Sequence, residues 1–310
     1  MNSQVQDLIA MMRAAVPPDA PRMWQLPADE ARRRGDAFFA ILNHGGPEMA
    51  ERRDLTVPGP RGLIPARLYV PRSAGPVTPG LLYLHGGGFV IGSPDTHDRL
   101  TRELAEGIGA RVLSLHYGLA PEHPYPAGLD DCVAAARWLG THGRELGIDP
   151  ERLLIGGDSA GGNLSAATIL RLQAERATTR FRAALLIYGR FSGDETESMK
   201  AWGDRDLVLS KLVMDWFERH YAGENPDRTD PYYAPLAGDL RGFPPSVLVV
   251  GTLDPLLDDS RLFAAALEKA GVPAELHVYG DGLHAFLQFS MLDMCSDAIA
   301  KVCAFARRAL

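Results

Sequence analysis

Gly157-Asp158-Ser159-Ala160-Gly161 sets a serine between two glycines, directly after the apolar run Leu153-Leu154-Ile155 and ahead of a helical stretch over residues 163–176. This is the nucleophile-elbow pattern, in which a sharp strand-to-helix turn holds a hydroxyl out at the carboxyl end of a sheet, beside a helix N-terminus. The turn asks for both glycines. A Cβ at Gly157 or Gly161 would collide with a neighbouring strand or helix, and the serine itself is expected in a strained backbone conformation. The same five residues also suit a plain glycine-rich turn, so the chemistry depends on partners elsewhere in the chain.

A serine hydroxyl is a weak nucleophile until a base takes its proton, and the usual base is a histidine held in one tautomer by a carboxylate. Of the nine histidines, His284 lies just beyond the last strand-like run, in Tyr279-Gly280-Asp281-Gly282-Leu283-His284-Ala285-Phe286. A glycine-rich turn there brings its side chain to the sheet edge that carries Ser159. His44, His142 and His220 fit solvent-facing positions, and His97 and His123 fit loops that support a site from behind. The carboxylate is expected at another strand end. Asp254 is the first acidic residue after the apolar run at 246–250, and Pro255 suits the first position of the following helix. A plain helix cap is the competing role for Asp254, while Asp258 and Asp259 fall in the first turns and fit the helix dipole. The order Ser159, Asp254, His284 is that of α/β-hydrolase triads, not of the chymotrypsin or subtilisin types.

Acyl transfer also needs donors for the negative oxygen of a tetrahedral intermediate. The run at 81–84 ends in His85-Gly86-Gly87-Gly88-Phe89, where three glycines let backbone N–H groups approach a ligand unhindered. A flexible turn is the alternative. The donors this pattern nominates are the N–H groups of Gly87, Gly88 and Ala160.

The elements that must position these groups follow from periodicity. Apolar runs at 81–84, 111–115, 153–155, 183–188, 246–250 and 275–279 alternate with helical stretches at about 96–108, 127–146, 160–176, 256–270 and 291–309. That alternation predicts an α/β fold with a parallel sheet covered on both faces. Strand-like runs at 54–57 and 66–70 predict an antiparallel opening. Residues 1–50 are helical in pattern, with a break at Pro17-Pro18-Asp19-Ala20-Pro21, and a helical insertion is expected between 188 and 246.

Charged residues make up 23% of the 310 positions and the net charge is −7, which gives no electrostatic case for nucleic acid or an anionic membrane. A neutral or weakly polar substrate fits better. Cys132, Cys295 and Cys303 show no CxxC spacing, so neither a disulfide framework nor a metal site is expected. The first fifteen residues lack the basic start and apolar run of a leader, and a cytoplasmic location is the expectation.

Together these motifs resemble the hormone-sensitive-lipase-like esterases, a branch of the α/β-hydrolases marked by His-Gly-Gly-Gly and Gly-Asp-Ser-Ala-Gly. The likeness also covers Tyr117-Gly118-Leu119-Ala120-Pro121-Glu122, Asp230-Pro231-Tyr232-Tyr233-Ala234-Pro235-Leu236, Asp254-Pro255-Leu256 and His284-Ala285-Phe286, and is strongest to bacterial acetyl-esterase-type members. The resemblance implies an α/β-hydrolase fold: a mostly parallel eight-stranded sheet flanked by helices, with a helical cap. The cap would comprise 1–50 and 190–228, and the catalytic core 51–189 and 229–310. It further implies hydrolysis of short acyl esters without a cofactor. His85 and Gly86 would belong to the loop motif, Asp158 to the elbow, and Glu122 would tie down the glycine loop. Three positions depart from the family pattern: Gly118 stands for Arg, Gly189 for Pro, and Asp281 for Gly. The last could alter the loop angle or add a negative charge near His284.

Phe89, Trp202, Leu209, Val213, Trp216, Phe286 and Leu287 are the expected pocket residues, with Met23, Trp24, Phe38 and Phe39 closing the cap; for each, a core position is the competing role. The expected ligand is a small-molecule ester, with no nucleic-acid or membrane partner, acting as a monomer or homodimer. An amidase or arylformamidase using the same triad, or a non-catalytic receptor on the same fold, are the rival readings.

Overall fold

The computed structural model describes residues 1–17, 19–205 and 207–310. Pro18, within the predicted break, lies outside the described residues. The strands are β1 (Met49–Gly59), β2 (Gly62–Pro71), β3 (Thr78–Leu84), β4 (Arg111–Leu115), β5 (Ile148–Asp158), β6 (Ala183–Ile187), β7 (Ser246–Leu253) and β8 (Ala274–Leu283). They form one eight-stranded sheet in the order β1-β2-β4-β3-β5-β6-β7-β8. β2 runs antiparallel to β1 and β4, and the remaining neighbours are parallel. The predicted antiparallel opening is thus a hairpin that turns between Gly59 and Gly62.

The central strands read as unbroken apolar runs because both of their faces are covered. On β3, Leu82 and Leu84 point into one core with α4 (Ala127–His142), α5 (Ala160–Ala174) and α8 (Leu257–Lys269). Leu81 and Tyr83 point into the other, with α3 (Asp98–Ile108), α9 (Asp293–Ala309) and α1 (Ser3–Ala14). Each of these leucines is fully buried, which contributes roughly 1.5–3 kcal/mol apiece. Cys132, Cys295 and Cys303 are free thiols buried in the same cores. Burial pushes Cys295 up to about 11 and Cys303 up to about 12, so both stay protonated.

Register explains why distant motifs meet. Leu84, the last residue of β3, lies opposite Gly157 on β5, so the glycine loop and the serine turn leave the sheet side by side. Leu253 lies opposite Leu283, which brings Asp254 and His284 out of β7 and β8 together. Three further α-helices are α2 (Ala28–Leu42), α6 (Glu197–Trp202) and α7 (Lys211–Ala222). α6 and α7 start at Thr196 and Ser210, whose hydroxyls accept from Met199 and Val213 N–H groups. Among the described residues no helix is long and apolar enough to cross a membrane.

Candidate active site

Ser159 sits at φ 55°, ψ −117°, between β5 and α5. A non-glycine residue held there is strained, as the turn pattern anticipates. The flanking glycines are a matter of space. A Cβ on Gly157 or Gly161 would come within 2.1 or 1.8 Å of the Leu84 carbonyl oxygen. The Ser159 Oγ lies 2.9 Å from His284 Nε2, and His284 Nδ1 lies 2.8 Å from Asp254 Oδ2. Asp254 is fully buried, and its other oxygen accepts the Leu256 N–H at 2.8 Å. The carboxylate therefore both holds the turn into α8 and hydrogen-bonds the imidazole, so a capping contact and a histidine contact coexist on one side chain.

Gly87, Gly88 and Ala160 line the same cavity as Ser159 and His284. Gly87 and Gly88 both adopt positive φ, and a Cβ on Gly88 would strike the Phe217 ring at 2.2 Å. Asp158 fastens this loop to the elbow. Its Oδ1 accepts the Tyr83 hydroxyl at 2.6 Å and the Gly86 N–H at 3.0 Å, and its Oδ2 lies 3.2 Å from His97 Nε2. Burial opposes charge on Asp158, but His97 and the Tyr83 hydroxyl prevail and hold the carboxyl below its usual range. His85 stacks on Tyr117 with ring centroids 4.4 Å apart and supports the loop from behind. Burial keeps it neutral by pulling its pKa well down.

Glu122 does not reach the glycine loop itself. Arg32, which sequence reasoning missed, ties it to the segment just behind that loop: Nε donates to the Val90 carbonyl at 2.7 Å, Nη2 to the Ala120 carbonyl at 2.6 Å, and both terminal nitrogens to Glu122. Glu122 thus acts through an arginine supplied by α2. Gly118 has a similar explanation. A Cβ there would lie 2.9 Å from Arg61 Nη2, and Arg61, from the β1–β2 turn, donates to Asp131 Oδ2 at 2.6 Å. An arginine from elsewhere in the chain thus occupies the space beside Gly118. Asp281 adopts φ 61°, so it keeps the loop angle a glycine would give. Its carboxylate turns to the Asn2 N–H, 2.8 Å away.

A cavity of about 400 Å³ opens over Ser159. Phe89, Leu209, Val213, Met23, Trp24, Phe38 and Phe39 line it as expected. Trp202, Trp216, Phe286 and Leu287 do not. On α7 the cavity face is Val213, Met214, Phe217, Glu218 and Tyr221, a stripe at helical spacing that leaves Trp216 turned aside against the Phe217 and His220 rings. Trp202 packs against the buried cluster beneath the sheet's second face, under the Arg205 guanidinium. After His284 the chain reverses at Ala285, φ 62°, which sends Phe286 inward against Tyr188 and Tyr279. Leu287 follows it into the core, where its carbonyl accepts from Arg99. Ala285 and Gln288 face the cavity in their place. Asp258 and Asp259 also do more than meet a dipole. Asp258 accepts the Ser198 N–H, and Asp259 accepts those of Phe191 and Ser192, each at 2.7–2.8 Å.

A family model described as alpha/beta hydrolase fold matches residues 81–288. The chain is 40% identical over 259 residues to the carboxylic ester hydrolase LipN of Mycobacterium tuberculosis, covering 80% of this chain and 67% of that one. It is 35% identical to the ethyl acetate hydrolase of Pseudomonas putida, covering 90% of each. Among solved structures, the ester-hydrolase EH1AB1 from the metagenome of Lake Arreo superposes with a TM-score of 0.95 at 34% identity, over 99% of this chain and 98% of that one. With this sheet order and these sequence relatives, the chain belongs to the α/β-hydrolase fold family, in its hormone-sensitive-lipase-like branch.

Proposed function

We propose that this protein is a carboxylesterase acting on short- to medium-chain acyl esters, with Ser159 as nucleophile, His284 as base and acid, and Asp254 as the orienting carboxylate. The observation that carries the reading is the unbroken relay from Ser159 Oγ to His284 to buried Asp254. His284 takes the serine proton as Ser159 attacks the ester carbonyl. The N–H groups of Gly87, Gly88 and Ala160 receive the oxyanion, and His284 returns the proton to the departing alcohol. Water, activated by the same imidazole, then releases the acid. Asp254 stabilises the imidazolium at both steps.

In this reading residues 1–50 and 190–228 supply the cap, and 51–189 with 229–310 the catalytic core. The support is that Trp24, Phe38 and Phe39 from the first segment and Leu209, Val213 and Phe217 from the second line the cavity. The division is not strict, because Val5, Leu8 and Ile9 of α1 pack with the catalytic core. A cavity of about 400 Å³ closed by these side chains suits acyl chains of about two to eight carbons. Turnover of p-nitrophenyl esters from acetate to palmitate tests this. A maximum between acetate and octanoate is expected, and fastest turnover of palmitate would overturn the chain-length assignment.

A further inference from the structure

Two buried histidine–carboxylate pairs flank Ser159, and the proton relay uses only one of them. In the second, His97 Nε2 lies 3.2 Å from Oδ2 of Asp158, the residue directly before Ser159. His97 and Asp158 are each 2% exposed. Burying such a pair costs desolvation that only good partners offset, so its placement beside the nucleophile asks for a role.

The hydrogen bonds fix which proton His97 presents. Burial works against charge on Asp158, but the His97 imidazole and the Tyr83 hydroxyl hold its carboxyl below the usual range. An ionised carboxylate only accepts, so His97 Nε2 carries a hydrogen and donates to it. The Gly86 N–H lies 3.3 Å from that nitrogen and 3.0 Å from Asp158 Oδ1, and therefore donates to the carboxylate. On the other side of the ring, Nδ1 lies 2.8 Å from Thr96 Oγ1, which accepts the Ser93 N–H and sits 2.8 Å from the Ser93 carbonyl. The Thr96 hydroxyl gives its proton either to that carbonyl, with His97 an imidazolium, or to Nδ1, with His97 neutral. Nε2–H faces Asp158 in both states.

Asp158 is thereby held where it meets the glycine loop. Its Oδ1 takes the Gly86 N–H, while His85 Nδ1 lies 2.8 Å from the Gly86 carbonyl, so the first glycine of the loop is held at both ends. Among the described residues, the N–H groups of Gly87 and Gly88 have no acceptor. The clamp leaves no slack. A Cβ on Gly86 would come within 2.5 Å of Asp158 Oδ2, and one on Gly92, in the segment that carries His97, within 2.5 Å of the Gly86 carbonyl oxygen. His97 itself is anchored to α3, its carbonyl accepting from the Thr101 N–H at 2.9 Å and the Thr101 hydroxyl at 2.8 Å.

Taking the esterase reading as given, we infer that His97 is a positioning residue for the oxyanion donors. Its Nε2–H fixes the orientation in which Asp158 takes the Gly86 N–H, which leaves the Gly87 and Gly88 N–H groups free for the substrate oxygen. Asp158 precedes Ser159 in the chain, so one carboxylate couples the nucleophile to the loop. The requirement is a donor at the Nε2 position, not a positive charge, because either protonation state of the ring supplies it. A loop held this way acts on the tetrahedral intermediate more than on the bound ester.

His97→Asn leaves Asp158 Oδ2 without its donor, whereas His97→Gln carries an amide N–H close to where Nε2 stands. With p-nitrophenyl butyrate, His97→Asn is expected to lower kcat by roughly tenfold or more with KM within about twofold of wild type, and His97→Gln to recover most of the loss. Inhibition by a short alkyl trifluoromethyl ketone, which forms a tetrahedral oxyanion on the serine, should weaken in His97→Asn by about the factor lost in kcat/KM. His97→Met fills the space with no donor and carries the same comparison should the asparagine variant not fold. The inference is overturned if kcat is unchanged in the variants lacking the donor, if the loss falls on KM, or if the ketone binds them as tightly as wild type. It is equally overturned if His97→Gln loses as much as His97→Asn, which would mark a purely structural role. Failure of the wild-type protein to hydrolyse the butyrate or to bind the ketone would instead sink the esterase reading.

Discussion

Arg32 and Glu122 form a two-pronged ion pair, with nitrogen–oxygen distances of 2.9 and 2.6 Å, whose guanidinium also grips the Val90 carbonyl behind the glycine loop. A helix of the N-terminal segment thereby sets the position of the N–H groups assigned to the oxyanion. Arg32→Met is expected to lower kcat on a short ester about tenfold with little change in KM, since the displaced donors act mainly in the transition state. An effect on KM alone would assign Arg32 to substrate binding instead. The Arg32 hydrogen bonds pull Glu122 down to about 2. A depressed carboxylate stabilises the fold above its unfolded pKa and loses that contribution as pH falls through the folded one. The stability difference between wild type and Glu122→Gln should therefore be present above pH 4.5 and fade towards pH 2.

Asp259 behaves oppositely. It is fully buried, and although the Phe191 and Ser192 N–H groups favour its charge, burial dominates and raises its pKa to about 7, with Asp254 nearby adding to the rise. Its Oδ2 has no partner among the described residues. The folded chain thus holds a proton that the unfolded chain releases near the ordinary value of 3.8. Stability from this group is full below that value and is lost as pH rises through about 7, at roughly 1.4 kcal/mol per unit of separation. Asp259→Asn keeps an acceptor for the two N–H groups and removes the ionisation. Urea unfolding at pH 4.5, 6 and 8 should show a shallower decline in the variant; parallel curves would rule out this assignment.

The space beside Gly118 is filled by Arg61, and the pair makes a coupled test. Gly118→Ala places a methyl 2.9 Å from Arg61 Nη2 and 3.1 Å from Asp131 Oδ2, so it should destabilise the fold by about 1–2 kcal/mol. In an Arg61→Ala background the same change should cost measurably less, because the nearest of its three neighbours is gone, leaving His123 Cβ at 3.0 Å and Asp131 Oδ2. Additive effects in a double-mutant cycle of urea midpoints would show that the two residues do not share this space.

Much of the site was readable from the chain because its parts are local. Ser159 and its glycines lie in one turn, His85 to Gly88 end one strand, and Asp254 and His284 each follow a strand that the apolar pattern marks. Sheet register does the rest. Long side chains reaching between distant segments leave no local trace, which is why Arg32 and Arg61 went unread. Pocket aromatics were half legible. Periodicity marks an apolar stripe on α7 but does not say whether Trp216 or Phe217 faces the cavity, and the reversal at Ala285 that buries Phe286 shows only as a positive φ in the folded chain. Asp258 and Asp259 carry a helix-start signature, yet their partners are backbone N–H groups about sixty residues away.

The most direct test of the relay is p-nitrophenyl acetate hydrolysis by Ser159→Ala. Loss of kcat by several orders of magnitude, with an unchanged thermal midpoint, is expected if Ser159 is the attacking group. Activity within tenfold of wild type in a purified preparation would contradict it and remove the basis for His284 and Asp254 as its base and orienting partner.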